Sequence, residues 1–454
     1  MQLKKNDRAT LEITGMTSEG YGVGRTDSGQ VVFVPNTAPG DRAEVLIVKV
    51  LKKYCYGRLA RLLTPSSSRE QNECPVFEKC GGCAYRHIRY SREVSLKTEQ
   101  VFHNLKAIGK VEFTAENAVC DPLRIDRYRN KGQYPAGKTP DGKTVFGFYA
   151  PHSHRLVPVS DCLLQPKIFG EILAEIGRFS DDFQISVYDE ATGTGLLRHV
   201  FLRQGTISGE IMVCFVVNAN AFTGEAEVCR RLTDKFPQIK SIVLNENRRR
   251  DNVILGECCR TLWGLDTIED VLCGLSVKLS PLSFYQVNHD MAQRLYTLAL
   301  ELAKPRGDER LLDLYCGAGL IGLSMARHVR EVVGVEVVEQ AVKNARQNAE
   351  NNQIQNARFL CGDASLIGRL VAEEKEQFDI AVVDPPRRGC DITVIEALEQ
   401  SGAEKIVMIS CNSATLARDV ALLSERGYSV QQVIPVDLFP RTVHVECVAL
   451  LSKR

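Results

Sequence analysis

Cys411 is the residue whose surroundings most invite a chemical reading. It lies in Lys405-IVMISCNSATLAR-Asp419. There Ile406, Val407, Met408 and Ile409 read as a buried strand, and Ser413 as the N-cap of a helix over Ala414–Leu423. A thiol at such a junction lies near the positive end of a helix, where it ionises more readily and becomes a nucleophile. Taken alone, the same cysteine is equally well a small buried hydrophobe.

A second stretch with chemical potential is Gly317-Ala-Gly-Leu-Ile-Gly322, which fits G-x-G-x-x-G between a strand and a helix. Its glycines let the backbone approach a ligand closely, and Glu336, at the end of the next strand, is placed for ribose hydroxyls. That pattern suits NAD as well as S-adenosylmethionine. Asp313 and Asp363 add acids along the same edge, which favours a ligand carrying a cationic sulfonium over one carrying a pyrophosphate. Asp384-Pro-Pro-Arg-Arg-Gly389 leaves the carboxyl end of a further strand. Its two prolines stiffen the loop and fix where Asp384 points.

Cys74-x5-Cys80-x2-Cys83 supplies three thiols in a short span around Gly81-Gly82, a spacing that wraps tightly round a metal centre. A fourth ligand must come from elsewhere. All-thiolate iron–sulfur and zinc sites both fit, and His87 lies close in sequence.

These residues need elements to hold them. At 454 residues the chain exceeds one compact core. Residues 1–63 read as a small β-barrel, with strands at 9–13, 30–34, 43–50 and 56–63 separated by glycine turns such as 19–24. Residues 64–70 read as a linker. The 64–280 region is an α+β unit that carries the cysteine motif, with buried strands at 211–217 and 241–245. From 281 to 454, strands alternate with helices, which indicates a doubly wound parallel sheet of Rossmann type. The opening residues lack the apolar core of a signal peptide, and no apolar run reaches ~18 residues, so a cytoplasmic protein is expected. Sixteen cysteines in such a chain argue for buried thiols and metal ligands rather than disulfides. A net charge of +1 says little, since a nucleic-acid protein can be neutral overall and basic on one face.

Taken in order, the β unit, the cysteine motif, Ser283-Phe-Tyr-Gln286-Val-Asn288, Asp313-Leu-Tyr-Cys-Gly-Ala-Gly319, Asp384-Pro-Pro-Arg-Arg-Gly389, Ser410-Cys-Asn412 and His444-Val-Glu446 make the whole chain resemble one family. It is that of the bacterial RNA uracil-5-methyltransferases with an N-terminal TRAM domain. The resemblance implies S-adenosylmethionine as methyl donor, bound by Gln286, Tyr315, Glu336, Asp363 and Asp384. It implies Cys411 as nucleophile and Glu446 as base. It also implies Cys162 as the fourth ligand beside Cys74, Cys80 and Cys83 in a [4Fe–4S] site. The partner is RNA, with 23S ribosomal RNA ahead of transfer RNA, no membrane, and a monomer expected. Lys4, Lys5, Lys52 and Lys53 on the barrel, and Arg387 and Arg388 near the site, are candidate phosphate contacts. Leu320 stands where the branch closest to the iron–sulfur ribosomal enzymes tends to have an asparagine, a departure from that branch's pattern.

Overall fold

The computed structural model describes residues 3–111, 117–373 and 376–454. Alternation of inward apolar and outward polar residues builds the first unit. Strands β1 (Arg8–Met16), β2 (Gly22–Arg25), β3 (Val31–Val34), β4 (Arg42–Val50) and β5 (Tyr54–Thr64) close into a barrel in the order β1-β2-β3-β5-β4. Leu11, Ile13, Val32, Val34, Val45, Ile47 and Cys55 fill it. The sequence suggested four strands and a turn over 19–24, yet β2 runs through that turn. Gly22 is there for packing: a Cβ on it would lie 2.0 Å from Thr37 Oγ1 and 2.8 Å from Ile13 Cγ2. The expected linker is fastened down as well. The Ser66 N–H donates to Asp41 Oδ1 at 2.8 Å, and Arg69 grips the same carboxylate through Nε and Nη2.

Helix α1 (Tyr90–Ala107) leads into the central unit. Its elements are β6 (Lys131–Lys138), β7 (Thr144–Tyr149), β8 (Leu156–Pro158), α2 (Lys167–Asp182), β9 (Leu197–Gln204), β10 (Ile211–Val217), α3 (Glu225–Lys235), β11 (Ile239–Glu246) and β12 (Cys258–Gly264). They form a seven-stranded sheet in the order β12-β11-β10-β9-β6-β7-β8, followed by the hairpin β13 (Ile268–Leu272) and β14 (Leu275–Leu279). The continuous burial of β10 explains why 211–217 was legible as a strand.

The last unit comprises α4 (His289–Ala303), β15 (Arg310–Leu314), α5 (Leu320–Met325), β16 (Glu331–Glu336), α6 (Glu339–Asn351), β17 (Ala357–Cys361) and α7 (Ser365–Glu373). It continues with β18 (Ile380–Val383), α8 (Ile392–Gln400), β19 (Lys405–Ser410), α9 (Ser413–Glu425), β20 (Tyr428–Val436) and β21 (Glu446–Lys453). The sheet order is β17-β16-β15-β18-β19-β21-β20. The five strands from β17 to β19 are parallel, as expected, but β21 runs antiparallel to both β19 and β20. The connection at 437–445 is too short for a crossover helix, so a parallel return is closed to it. Apolar clusters cover both faces of this sheet. Among the described residues no helix is long and apolar enough to cross a membrane.

Candidate active site

The reversal of β21 creates the site. Parallel strands β15, β16, β18 and β19 all end at one edge of the sheet. Because β21 is antiparallel, its first residue arrives at that same edge. Ser410 pairs with Cys447, which sets Cys411, just past β19, beside Glu446 at the head of β21. Cys411 is half-buried and Glu446 is 5% exposed.

The local sequence holds this geometry. Asn412 rather than Ser413 caps α9: its Oδ1 accepts from the Ala414 N–H at 3.0 Å, and its Nδ2 donates to the Arg387 carbonyl at 3.2 Å. Arg418 Nη2 donates to the carbonyls of Arg388 and Cys390, both at 3.0 Å, and Asp419 accepts from the Cys390 N–H at 2.8 Å. Helix α9 therefore clamps the proline loop that carries Asp384. Gly389 is required inside that clamp. Its φ is +78°, and a Cβ there would lie 2.5 Å from both Arg418 and Asp419.

Electrostatics correct one expectation. Cys411 was expected to ionise easily, but burial and the neighbouring acids Glu446 and Asp384 push its thiol up; Arg387 opposes them. Burial raises Glu446 to about 8, with Asp384 adding to the effect and Arg387 working against it. Burial raises Asp384 to about 7. Asp313 also reaches about 7, from burial first, with Asp384 and Glu336 adding to it against the hydrogen bond from Gly322. Three carboxyls along one strand edge, Asp313 and Glu446 buried and Asp384 partly exposed, thus titrate near neutral pH, a pattern typical of functional sites.

The edge is shaped for a nucleoside ligand. Tyr315 (φ +59°) and Gly317 (φ +53°) turn the chain sharply after β15. The Glu336 carboxylate accepts from the N–H groups of Gly317 at 3.2 Å and Val338 at 2.9 Å, which aims it at that turn. Val337 and Val338 are more than half exposed beside it, as apolar surface fit for an aromatic base. Asp313 Oδ2 accepts from Gly322 at 2.9 Å, while its buried Oδ1 has no hydrogen-bond partner among the described residues. Such an orphan acceptor is costly unless a donor arrives. Gln286 lies on the segment between β14 and α4. Asn130 Nδ2 donates to its carbonyl at 3.0 Å, and buried Arg203 fixes the preceding turn through the Ser280 and Ser283 carbonyls at 2.7 and 2.8 Å. Asp363 is exposed beyond β17, apart from the buried acids.

Two neighbours were not assigned from the sequence. His444, whose Nε2 lies 3.4 Å from Arg387 Nη2, is kept neutral, at about 4, mainly by burial. Its place in His444-Val-Glu446 was the available signal. Tyr296 on α4 is buried, in the neighbourhood of Gln286, Asp384 and Asp313. Within the apolar stripe of α4 nothing marked it.

The cysteine motif lies apart from this edge. Cys74, Cys80, Cys83 and Cys162 line one cavity of about 280 Å³, with Arg86, Arg129 and Lys131 on its wall. His87 does not join them; its Nε2 lies 3.1 Å from the Thr37 carbonyl and its ring packs on Phe77. Among the described residues no group of three Cys, His, Asp or Glu side chains is arranged to hold a single metal ion. The cavity loop is nevertheless tied to the loop that precedes Glu446. The Ala84 and Tyr85 N–H groups donate to the Arg441 carbonyl at 2.9 and 3.1 Å, five residues before Glu446 in the chain. The start of the 437–445 loop is pinned by buried Lys97, which donates to Asp437 at 2.7 Å and Glu93 at 2.8 Å.

Comparison with known proteins fits this arrangement. Residues 275–454 match the family described as tRNA (Uracil-5-)-methyltransferase, and residues 2–60 match the TRAM domain. An uncharacterized RNA methyltransferase of Clostridium tetani is 37% identical over 450 residues, covering 99% of this chain and 97% of its own. One from Bacillus cereus is 38% identical over 451 residues, covering 99% and 98%. Among solved structures, the Pyrococcus abyssi tRNA (uracil-54, C5)-methyltransferase in complex with S-adenosyl-L-homocysteine superposes with a TM-score of 0.79 at 28% identity, over 98% of this chain and 100% of that one. The chain belongs to the TRAM-bearing RNA uracil-5-methyltransferases, which take their methyl group from S-adenosylmethionine.

Proposed function

We propose that this enzyme methylates carbon 5 of a uridine in large-subunit ribosomal RNA through a covalent adduct between Cys411 and the uracil ring. The observation that carries this reading is the Ser410–Cys447 register, which brings a thiol and a carboxyl together at the cofactor edge. Carbon 5 of uracil is too weak a nucleophile to take a methyl group unaided. In the proposed sequence the Cys411 thiolate adds to carbon 6, and the ring becomes an enolate whose carbon 5 attacks the donor methyl. Glu446 then takes the proton from carbon 5, and the returning electron pair expels the thiolate. Arg387 is the cation placed to favour the Cys411 thiolate. Gln286, Tyr315, Glu336, Asp363 and Asp384 are the proposed cofactor contacts, with the unpartnered Asp313 oxygen available to a donor on the ligand. The target uridine must leave its stack to reach Cys411.

Large-subunit ribosomal RNA is the proposed target because the resemblance is to the iron–sulfur ribosomal enzymes. The likeness to the Pyrococcus abyssi enzyme favours transfer RNA as the second reading. A strain lacking this protein should lose 5-methyluridine from its large-subunit RNA, mapped by mass spectrometry. Intact ribosomal RNA with loss from transfer RNA would move the target to the second reading. No loss from either would defeat the proposal.

The cysteine cavity is proposed to hold a [4Fe–4S] cluster. Four thiols from two distant segments line one cavity there, an all-thiolate donor set that the family resemblance assigns to a cubane rather than to zinc. Arg86, Arg129 and Lys131 would balance thiolate charge. Methyl transfer moves no electrons, so Cys74, Cys80, Cys83 and Cys162, if they held a cluster, would brace the loop tied to Arg441. Protein purified without oxygen should be brown with about four irons per chain. Serine at Cys74, Cys80, Cys83 or Cys162 should bleach it and lower its melting temperature. Colourless protein with stoichiometric zinc would overturn the assignment.

A further inference from the structure

Helix α1 supplies no group to the proposed chemistry, yet it touches both segments that do. On one side its Val101 and Leu105 share a core with Leu416, Ala417 and Val420 of α9. Asn104 Nδ2 of α1 donates to Ser413 Oγ at 2.9 Å, two residues after Cys411. On the other side α1 meets the 437–445 loop. Lys97 Nζ donates to Asp437 Oδ1 at 2.7 Å, Glu93 Oε1 at 2.8 Å and the Phe439 carbonyl at 3.1 Å. The Tyr90 hydroxyl donates to Asp437 Oδ2 at 2.8 Å. The Arg441 N–H donates to Glu93 Oε1 at 2.6 Å, and its Nη1 donates to the Ile88 carbonyl at 3.0 Å.

Lys97, Glu93, Asp437 and Arg441 are each at most 4% exposed. Charges so far from water are a poor source of stability, since apolar side chains of the same volume often serve as well. What they supply is direction. Hydrogen-bonded charges hold their partners at one distance and angle, whereas apolar contacts let a loop slide. The loop also needs holding. Arg441 sits at φ +71°, a conformation that costs a residue with a side chain and persists only where the surroundings enforce it. Five residues later the chain enters β21 at Glu446.

We infer that Lys97 and its buried partners are positioning residues of the methylation reaction. They fix the 437–445 loop on α1 so that Glu446 meets the proton on carbon 5 of the adduct. Because α1 also packs on α9, one rigid helix sets the spacing between nucleophile and base. This role rests on Glu446 being the base, and it adds what holds that base within reach.

The test variant is Lys97→Met/Asp437→Asn in the full-length protein. It removes one charge of each sign and leaves Glu93 and Arg441 to balance each other, so the melting temperature should stay near wild type. Turnover should fall roughly ten- to a hundredfold, because the base is displaced rather than removed. Only proton removal should slow. Methylated adduct should therefore build up on ordinary RNA in denaturing gels, while 5-fluorouridine RNA is captured at the wild-type rate. Adding Glu446→Gln should cost no more than Glu446→Gln costs alone, since the buried cluster acts through that carboxyl. Wild-type turnover, equal slowing of capture and proton removal, or losses that multiply with Glu446→Gln would each overturn the inference. Should the double variant fail to fold, Tyr90→Phe takes a single hydrogen bond from Asp437 and must show the same pattern at a several-fold scale. Glu446→Gln run alongside judges the base by itself: wild-type turnover there defeats the base assignment, whatever the Lys97 variant does.

Discussion

Replacing Cys411 with alanine is expected to abolish both methyl transfer and the covalent RNA–protein adduct. Two other thiols near this edge, those of Cys447 and Cys316, are not available for addition to carbon 6. Cys447, the next residue on β21, is fully buried, and burial holds its thiol far above the physiological range. Cys316, in the turn after β15, is likewise raised out of reach, by burial first and then by Asp313 and Glu336. Without the adduct, carbon 5 keeps its ground-state nucleophilicity, so the loss should reach roughly ten-thousand-fold or more. The variant should still bind S-adenosylhomocysteine, because Glu336 and the glycine turn lie on other strands. The check is denaturing electrophoresis with RNA containing 5-fluorouridine, whose carbon 5 has no removable proton. Wild type should form a lasting adduct and Cys411→Ala none. An adduct in the variant would assign the nucleophile to another thiol.

Glu446→Gln should fail at the opposite end of the reaction. Addition and methyl transfer come before proton removal, so this variant should accumulate a methylated adduct on ordinary RNA while turnover falls roughly 10²- to 10⁴-fold. Turnover at the wild-type rate without trapped RNA would remove Glu446 from the role of base. The raised carboxyl adds a pH signature. The folded state holds this proton up to about 8, whereas the unfolded chain releases it near 4.5. The stability this contributes is therefore complete below 4.5 and lost as pH rises through about 8. Wild type should lose more melting temperature than Glu446→Gln between about pH 5 and pH 9. For kcat/KM the sign is reversed, since the base must be ionised: activity of the free enzyme should climb through the same interval.

How much of this was legible depended on whether chemistry or packing selected each residue. The glycine turn, the proline loop and Cys411 announce themselves, because a close backbone approach, a rigid loop and a thiol after an apolar run leave local marks. β2 did not, since Gly22 is a strand glycine forced by Thr37 and Ile13, and its sequence reads as a turn. The capping residue was displaced by one, because Asn412 also serves the neighbouring Arg387 carbonyl. The direction of β21 was invisible: period-two patterning is the same whichever way a strand runs. Yet that direction brings Glu446 to Cys411. The environment of the thiol was misread for the same reason, since the acids beside it arrive from strands distant in sequence. Cys162 was reachable only through resemblance; its convergence with the other three cysteines is a property of the folded chain.

The three carboxyls near neutrality have a consequence for timing. In the free enzyme Asp313, Asp384 and Glu446 each retain a proton through much of the range below pH 7 to 8. On the proposed mechanism a cationic methyl donor bound at this edge would lower all three, so that loading it would release protons and favour an ionised Glu446. Transfer of the methyl group erases that positive charge while the adduct is still in place. Glu446, as the proposed base, would then regain its proton affinity when carbon 5 has a proton to give up. The same lost charge removes the attraction that held the donor, which pairs completion of chemistry with release of the spent cofactor. Acids without a resident cation thus act as a clock set by the charge of their ligand.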